Sequence, residues 1–522
     1  MPEAVVVGGG FGGIAASLRL RAKGYSVTLF DRCARLGGRA QVFEHGGFRH
    51  DAGPTVLTAP FLLEELFALF DRRLADYVSL VPVEPWYRFE FPGGERLDYG
   101  GSLEQTLAEI TRFEPRDVDG YLNLLEQSRR IFDVGFRDLA DRPFDSAWTL
   151  ARQVPSLVRL GCYRTVWQMV SRHLRDPRLR QAFSIQPLLV GGNPFDTTSI
   201  YSLIHYLERE WGVHFAMGGT GALVDALGRL MREVGIDVRL GSTVHRILVE
   251  GNAATGLELE DGQRVQADVV VSNADPMHLY QSMLGEEHQS LTARVKRRRA
   301  KLSMGLFVLY FGTRRQYPNV AHHTIWLGRR YKGLLRDIFH GRALPDDFSL
   351  YVHRPTATDP SFAPPGCDSF YVLAPVPNLT ADIDWRVEGP RLRQRIIDAL
   401  DRSMLPGLKA SITSDFFMTP EDFAGDYLSA GGAGFSVAPL FRQSAWFRFH
   451  NRAEGPRNLY LVGAGTHPGA GLPGVLSSAK VLEQLIPAVE GAASWPRLQA
   501  GAACAGRPCS SARLRPVGPR RR

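Results

Sequence analysis

The chain has 522 residues, of which 44% are hydrophobic and 22% charged. This composition is typical of a globular protein and excludes a disordered or collagen-like chain. The net charge of +8 suggests nucleic acid, an anionic membrane or an acidic ligand as partners. Residues 488–522 hold seven arginines and one acid, so six of the eight charges lie in this tail. The nearly neutral body predicts that the protein does not bind nucleic acid.

Cysteine spacing and hydropathy bear on the cellular compartment. The five cysteines match no zinc or disulfide spacing and predict free thiols in a reducing compartment. The longest apolar run, 304–311, is far shorter than the ~20 residues of a membrane-spanning helix. The N-terminus leads directly into a predicted strand, with no cleavage site of a signal peptide. We therefore expect a cytoplasmic protein, with a disordered basic tail at 488–522.

The first elements form a dinucleotide-binding signature. A strand, a helix and a second strand are predicted over 4–7, 14–23 and 26–30. Gly8, Gly10 and Gly13 lie between the first strand and the helix, and Asp31 ends the second strand. The glycines permit a tight turn, close approach of a pyrophosphate and close helix packing, while Asp31 can accept hydrogen bonds from ribose hydroxyls. This context predicts a dinucleotide site.

The next segments indicate which dinucleotide is bound. Gly37-Gly38-Arg39 follows the acid, and Gly53-Pro54-Thr55 forms a predicted turn. Both resemble segments of the glutathione-reductase-like, amine-oxidase-related flavoproteins. The resemblance implies FAD rather than NAD, with Arg32 and Arg39 among the cofactor ligands and the 53–55 turn reaching the flavin ring.

Two later segments are predicted to return to the cofactor. The first comprises a helix over 224–233, a strand over 236–240, a small antiparallel sheet within 244–268 and a buried strand over 269–274. In flavoproteins of this type the main chain near Val244 meets the adenine. The second is a strand over 459–462, a glycine-rich loop and a helix over 475–485. The N-terminus of that helix would stabilise negative charge on a reduced flavin.

The C-terminal segment carries the most specific resemblance. Residues 458–475 are similar to the flavin signature of bacterial-type phytoene desaturases, and so are Leu189–Phe195, Leu207–Gly212 and Ala374–Pro377. The resemblance covers roughly residues 4–487. The expected cofactor-binding residues are Gly8, Gly10, Gly13, Asp31, Arg32, Gly37, Gly38, Arg39, Gly53, Pro54, Thr55, Val244, Gly463, Ala464, Gly465, Pro473, Gly474 and Val475.

This resemblance implies an α/β fold with a glutathione-reductase-like, Rossmann-type FAD-binding domain, a mixed-sheet substrate domain and a helical membrane-associating subdomain. The expected FAD domain is 1–66, 206–281 and 446–487. The expected substrate domain is 67–130 and 282–445, and the expected helical segment is 131–205.

The implied reaction is FAD-dependent desaturation of phytoene, a linear C40 carotene, in several steps toward neurosporene or lycopene. Hydride passes to the flavin and a proton leaves the neighbouring carbon, while the protein supplies position and polarity. The polyene offers no hydrogen-bonding group, so we expect an apolar cavity. The electron acceptor is expected to be a membrane quinone or O2.

No catalytic residue is assigned from sequence. Glu208 and Asp384 are candidates to take the proton, and the sequence does not choose between them. We expect no metal site: His322 and His323 are adjacent, and neighbours on a strand point to opposite faces.

The substrate lies in membranes, and two segments suggest how the protein reaches it. Residues 131–205 are predicted to form an interfacial helix pair at the inner face of the cell membrane. Its apolar residues are Trp148, Leu150, Leu157, Val158, Leu160, Tyr163, Val166, Trp167 and Met169, mixed with arginines. The basic run 291–301 is predicted to be a solvated helix face, or else a surface for membrane or partner.

Two alternatives stay open. One is another carotenoid desaturase or isomerase, acting on a hydroxylated or methoxylated C40 chain or on a C30 chain. The other is a non-enzymatic prenyl-lipid-binding protein of the same fold. The three intact glycine-rich segments disfavour the second, because a protein without flavin would not need all of them.

Overall fold

The computed structural model describes residues 1–490, apart from the side chains of Ala147, Thr149 and Leu150. The expected tail from 491 onward lies outside the described residues. The strands are β1 Glu3–Val7, β2 Ser26–Phe30, β3 Val42–His45, β4 Phe48–Asp51, β5 Leu80–Pro82, β6 Tyr87–Glu90, β7 Arg96–Tyr99, β8 His214–Ala216, β9 Asp237–Arg239, β10 Val244–Glu250, β11 Ala253–Leu259, β12 Arg264–Gln266, β13 Val269–Ser272, β14 Gly305–Thr313, β15 His323–Trp326, β16 Leu350–His353, β17 Asp368–Val376, β18 Ile412–Met418 and β19 Leu459–Leu461.

The α-helices are α1 Phe11–Ala22, α2 Phe61–Ala68, α3 Leu103–Phe113, α4 Asp117–Phe132, α5 Ala147–Arg159, α6 Val166–His173, α7 Pro177–Phe183, α8 Leu203–Trp211, α9 Gly219–Glu233, α10 Pro276–His278, α11 Leu291–Arg299, α12 Tyr331–His340, α13 Trp385–Arg402, α14 Leu408–Ser411, α15 Pro420–Tyr427 and α16 Leu472–Leu485. Within the described residues, no helix has the length and apolar character needed to cross a membrane.

A parallel sheet carries the N-terminal signature. Its five strands have the order β19-β13-β1-β2-β9, and every neighbouring pair is parallel. β1 and β13 are buried except for Glu3, as expected for strands covered on both faces. Helices α1, α9 and α16 pack on one face, so segments of the chain more than 200 residues apart build a single nucleotide-type fold.

A second, mixed sheet is assembled from two distant parts of the chain. Its order is β18-β14-β17-β16-β15-β6-β7, with β15 and β6 parallel and the other pairs antiparallel. One face packs on α13, and the opposite face packs on α12 and the helices of 117–185. The pairing of β6 with β15 joins the expected substrate segments 67–130 and 282–445 in one sheet.

The domain boundaries remain a prediction, and two contacts bear on them. Phe67 and Phe70, just beyond the expected boundary at 66, are buried in the same core as α1 and α16. At the C-terminus, the Val489 N–H donates to the Lys23 carbonyl at 2.9 Å, and Val489 packs against this core. The ordered body therefore extends at least two residues past the expected end at 487.

The helical segment 131–205 is less uniform than the predicted pair. Val166 and Met169 on α6 are buried, and the Trp167 ring contacts the rings of Phe195 and Tyr331 at tilted angles. Among the described side chains of the segment, the large apolar residues that are exposed lie on α5 or just after it: Trp148, Val154, Val158 and Tyr163. The prediction of an interfacial pair is therefore wrong for α6, because its apolar face is covered by the protein core.

The basic run 291–301 forms α11, and part of its charge is used within the fold. The Lys296 ammonium is largely buried, pairs with Glu454 at 3.0 Å and donates to the Arg448 carbonyl. Arg297 donates to the Tyr280 carbonyl and pairs with Glu286.

Candidate flavin and substrate site

One cavity of about 590 Å³ runs from the end of the parallel sheet to the face of the mixed sheet. Every residue predicted to bind the cofactor contributes to its lining except Gly13. Whether each of them binds the cofactor remains a prediction, but the fold brings all of these segments together. The cavity has two parts of different character, here called the nucleotide end and the substrate end.

The nucleotide end is built from backbone. Gly8 has a φ of 95°, and Gly10 is the N-cap of α1, with no side chain capping the helix. The Gly37 N–H donates to the Gly9 carbonyl at 2.9 Å, and this hydrogen bond holds the Gly37-Gly38 segment against the turn that follows β1. A Cβ on Gly13 would lie 1.9 Å from the Gly8 carbonyl oxygen. Gly13 therefore does not line the cavity but allows α1 to pack closely against the glycine turn.

Asp31 and Arg32 are already engaged by the protein. One Asp31 carboxylate oxygen accepts from the Gly9 N–H at 2.5 Å and the other from the Cys33 N–H at 2.7 Å. Each oxygen retains a second lone pair, so contact with a ribose stays possible. Arg32 donates to the carbonyls of Gly425 and Asp426, and this anchors α15 over the cavity.

Arg39 lies inside the site. Its guanidinium donates to the Ser429 hydroxyl, and burial lowers its pKa while the nearby Asp275 opposes that shift. A buried cation at this position can hold an anionic or carbonyl oxygen of a ligand. Val244, at the start of β10, also contributes to this end of the cavity.

The C-terminal loop closes the nucleotide end. α16 begins at Leu472, three residues before the predicted start, so Pro473, Gly474 and Val475 form its first turn. Its N-cap, Gly471, supplies no side-chain cap. The early start fits a proline in the first turn, whose missing N–H has no helical partner to lose. The same loop carries Gly463, Ala464 and Gly465 past the cavity.

Two residues that sequence reasoning missed hold these loops in place. Asn273 follows β13, and its amide donates to the Gly8 carbonyl at 3.3 Å. Its carboxamide also lies directly beside Gly12 and Gly463. Arg448 is buried, and its guanidinium donates to the carbonyls of Ala464 and Thr466. The only available signal was their position next to a strand or a glycine-rich loop.

These features fit FAD. The helices α1 and α16 both direct uncapped N-termini toward one cavity, where their N–H groups and dipoles favour a pyrophosphate and an anionic ring. The two glycine segments approach each other closely, since a Cβ on Gly38 would lie 3.3 Å from the Gly10 Cα.

The substrate end is largely apolar. The α8 residues Leu203, Ile204 and Leu207 share one face toward the cavity. Further apolar lining comes from α12, β14, β16 and β17, namely Tyr331, Leu334, Leu335, Ile338, Leu306, Leu350, Tyr371 and Leu373. Such a wall binds a hydrocarbon by burial and gives it no hydrogen-bonding partner.

A small polar group interrupts this wall near the predicted flavin turn. Thr55 and Tyr351 share a hydrogen bond of 2.6 Å between their hydroxyls, and the Tyr351 hydroxyl lies 2.8 Å from His323 Nδ1. Beside them, the Tyr87 hydroxyl donates to Glu208 Oε1 at 2.8 Å. Burial raises the pKa of Glu208 to about 7, against the opposing effects of Tyr87, Arg209 and Gln186.

The two proton-acceptor candidates have different positions. Glu208 is fully buried and lines the cavity. Asp384 is exposed and caps α13 by accepting from the Arg386 N–H at 3.0 Å. Asp384 is therefore not brought to the site, and its pattern in the sequence is that of a helix cap.

The expectation for His322 and His323 requires correction. Their rings do not point apart: the centroids lie 4.5 Å from each other, and both rings contact His353. β15 begins at His323, so strand alternation does not apply to His322. One ligand atom of each of the three imidazoles lies within 4.8 Å of the others, which is close enough for a shared metal ion, and the rings of His323 and His353 stack at 21°. Burial holds all three pKa values well below 6.5, so the cluster is neutral.

The fold and the cavity define an FAD-dependent oxidoreductase, and comparison with known proteins agrees. Residues 11–481 match the family described as flavin containing amine oxidoreductase, to which the chain therefore belongs. An oxidoreductase from Methanosarcina mazei shares the fold with a TM-score of 0.63 at 16% identity, over 92% of this chain and 100% of that one. Putrescine oxidase bound to putrescine gives 0.62 at 12% identity, over 93% and 99%.

Within that family, the chain belongs to the phytoene desaturases. It is 48% identical to a lycopene-forming phytoene desaturase of Pseudescherichia vulneris, over 93% of this chain and 99% of the relative. It is 44% identical to a neurosporene-forming phytoene desaturase of Rhodobacter capsulatus, over 93% and 94%. The expected family, FAD-binding α/β fold class, flavin cofactor and enzyme class are thereby confirmed, and the membrane association of the helical subdomain remains a prediction.

Proposed function

We propose that this protein desaturates phytoene, converting C–C single bonds of the linear C40 chain into double bonds in several steps toward neurosporene or lycopene. The observation that carries the proposal is the single cavity, in which a glycine cradle for FAD opens directly into an apolar chamber. Relatives that form lycopene or neurosporene are 43–48% identical, whereas a 4,4'-diapophytoene desaturase is 32% identical. This difference favours a C40 substrate over a C30 substrate.

The residues of the chain would bind the cofactor, orient the polyene and exclude water from the site. The backbone of the two glycine segments and the N-termini of α1 and α16 would hold the pyrophosphate and the flavin, with Arg39 at a ligand oxygen. When bound, oxidised FAD supplies a hydride acceptor. The walls from α8, α12 and the mixed sheet would align the polyene and exclude water, which raises the effect of each polar group left inside.

Expression in cells that accumulate phytoene tests this function. Chromatography of the extracted pigments should show phytoene replaced by more unsaturated carotenes, and the product pattern counts the desaturation steps. A matched strain expressing Gly13→Ala should keep its phytoene. Unchanged phytoene with the FAD-loaded wild type would contradict the proposal, and conversion of a C30 or hydroxylated substrate alone would support the alternative desaturase.

We also propose that α5 is the contact with the inner face of the cell membrane. Trp148 and Tyr163 are 65% and 60% exposed, large values for aromatic side chains. Arg152 and Arg164 lie over these two rings at 5.3 and 4.7 Å, so cations accompany the apolar surface. Exposed aromatic residues with neighbouring arginines are typical of interfacial helices.

Flotation with vesicles containing anionic lipid tests the α5 contact. The double change Trp148→Ser and Val158→Ser should lower the partition coefficient by at least about tenfold, since each side chain contributes roughly 1.5 kcal/mol or more when buried. Val387→Ser, an exposed apolar position on α13, is the matched control and should bind like the wild type. Equal binding of all three proteins would exclude α5 as the contact.

The acceptor that reoxidises the flavin is proposed to be a quinone or O2. Anaerobic turnover with a membrane quinone, compared with aerobic turnover without it, separates the two. Activity under only one of these conditions identifies the acceptor.

A further inference from the structure

The apolar chamber contains one acid whose role is unexplained by packing. Within residues 1–490, four acidic side chains line the cavity: Asp31, Asp275, Asp426 and Glu208. Three of them belong to the nucleotide end, where Asp31 accepts two backbone N–H groups and Asp275 accepts from the Met277 N–H and faces Arg39. Asp426, on α15, lies beside Arg32. Glu208 alone belongs to the substrate end.

The setting of Glu208 leaves part of its carboxyl group unused. Oε1 accepts from Tyr87, whereas Oε2 is buried and makes no hydrogen bond of good geometry among the described residues, although the Gln186 side chain lies close enough to lower the pKa of the carboxyl group. An unpaired buried carboxylate oxygen is costly. The residue shares the inner face of α8 with Leu203, Ile204 and Leu207, which also line the cavity. A fold that needed only packing here would be served better by another leucine.

The desaturation chemistry requires a proton acceptor at this place. Two C–H bonds on neighbouring carbons break and one C=C bond forms. One hydrogen leaves with its electron pair as hydride, for which oxidised FAD is the acceptor. The second hydrogen leaves as a proton, and the electron pair of its C–H bond becomes the new π bond. In the apolar chamber, a basic side chain of the lining can take that proton.

We propose that Glu208 is this catalytic base, with Oε2 accepting the proton from the polyene and Tyr87 positioning the carboxylate. The inference rests on the proposed desaturase function. Its nearest competitor, His323, contributes nothing to the cavity lining, and its Nδ1 is occupied by the Tyr351 hydroxyl.

The surroundings of Glu208 bring the titration of its carboxyl group close to neutrality. Tyr87 from β6, Tyr99 from β7 and Tyr121 from α4 face it, and burial raises the pKa of each tyrosine above its usual value. Arg209, the next residue on α8, remains charged. With a pKa of about 7, the carboxylate is available as a base at neutral pH and close enough to the operating pH to release its proton again.

Kinetics of the FAD-loaded enzyme on phytoene in vesicles test the proposal. Glu208→Gln should lower turnover by about 10²–10⁴-fold, with an unchanged flavin spectrum and FAD content. Glu208→Asp should recover part of the loss, since a carboxylate returns at a displaced position. Glu210→Gln, an exposed change on the same helix, is the matched control and should keep wild-type turnover.

Two pH measurements distinguish a base from a structural residue. Wild-type turnover should rise with pH through about 7. This rising limb of the pH profile should be absent in Glu208→Gln. Tyr87→Phe removes a hydrogen bond that lowers the pKa of Glu208, so its limb should move to higher pH. Independently of activity, a pH-difference infrared spectrum should show a carboxyl signal that is absent only in Glu208→Gln.

Full turnover in a folded, FAD-containing Glu208→Gln protein would overturn the assignment. So would a pH limb that survives in that variant. Failure of the wild type to convert phytoene would instead contradict the proposed function, so the two failures are distinguishable.

Discussion

The nucleotide end and the substrate end of the cavity are built in different ways. At the nucleotide end, glycines such as Gly8, Gly10 and Gly38 bring main chain to the ligand, and helix N-termini supply the polarity. At the substrate end, side chains from β6, α8, β15 and β16 converge from positions 87 to 351. Backbone recognition is therefore encoded within short segments, whereas a site built from side chains depends on distant segments meeting.

The largest effect is expected where backbone approach can be blocked. Gly13→Ala places a Cβ 1.9 Å from the Gly8 carbonyl oxygen, so the turn must move away from α1. We expect the purified variant to lose FAD, measured as flavin absorbance per protein. Gly425→Ala on α15 is the matched control, because nothing lies within 4 Å of its added Cβ. If Gly13→Ala retained FAD, binding at the nucleotide end would not depend on this close backbone approach.

At the substrate end, neutralising Glu208 should stabilise the fold. Its pKa is raised from 4.5 to about 7, so the unfolded chain releases the proton first, and the wild type loses stability as pH rises through this window. Above about pH 7 the loss amounts to about 3 kcal/mol, and Glu208→Gln should recover up to that amount. Urea unfolding as a function of pH measures the difference, with Glu210→Gln as control. A variant less stable than the wild type above pH 7 would contradict this expectation.

A smaller effect is expected at the hydroxyl chain. Tyr351→Phe leaves the Thr55 hydroxyl and His323 Nδ1 without their partner, and each is buried at least in part. We expect a loss of about 1–3 kcal/mol in the free energy of unfolding, while FAD content stays at the wild-type level. Loss of FAD in this variant would show that the nucleotide end also depends on convergent side chains.

The smallest effect is expected at the C-terminus. The Ile486 carbonyl accepts from Lys23, and the Val489 N–H donates to the Lys23 carbonyl. A chain ending after Glu490 keeps these contacts and should retain its FAD and its melting temperature. A chain ending after Pro487 removes the Val489 contacts and should melt slightly lower. Loss of FAD from the chain that ends after Glu490 would show that residues beyond 490 are needed for FAD binding.

The nucleotide end and the family could be predicted from local sequence patterns. Strand, glycine turn, helix and acid are consecutive, so a local pattern predicts their geometry. The helix boundaries were less well predicted: α1 begins at Phe11 and α16 at Leu472, each three residues before its predicted start. Glycine disfavours a helix in general, but at Gly12 and Gly13 close packing against Gly8 and Gly463 outweighs that preference.

The exposure of α5, the position of Glu208 and the histidine cluster depend on contacts made in the folded chain. An apolar helix face indicates burial without naming its partner, so α5 and α6 looked alike in sequence, although the core buries Val166 and Met169 of α6 and leaves Trp148 of α5 exposed. A carboxylate gives no local signal of its surroundings, and the separation of Glu208 from Asp384 required the packing of α8 on the cavity. The convergence of His322 with His353 likewise depends on the pairing of β15 with β16. In each case the deciding contacts join residues far apart in the chain, and no local pattern carries that information.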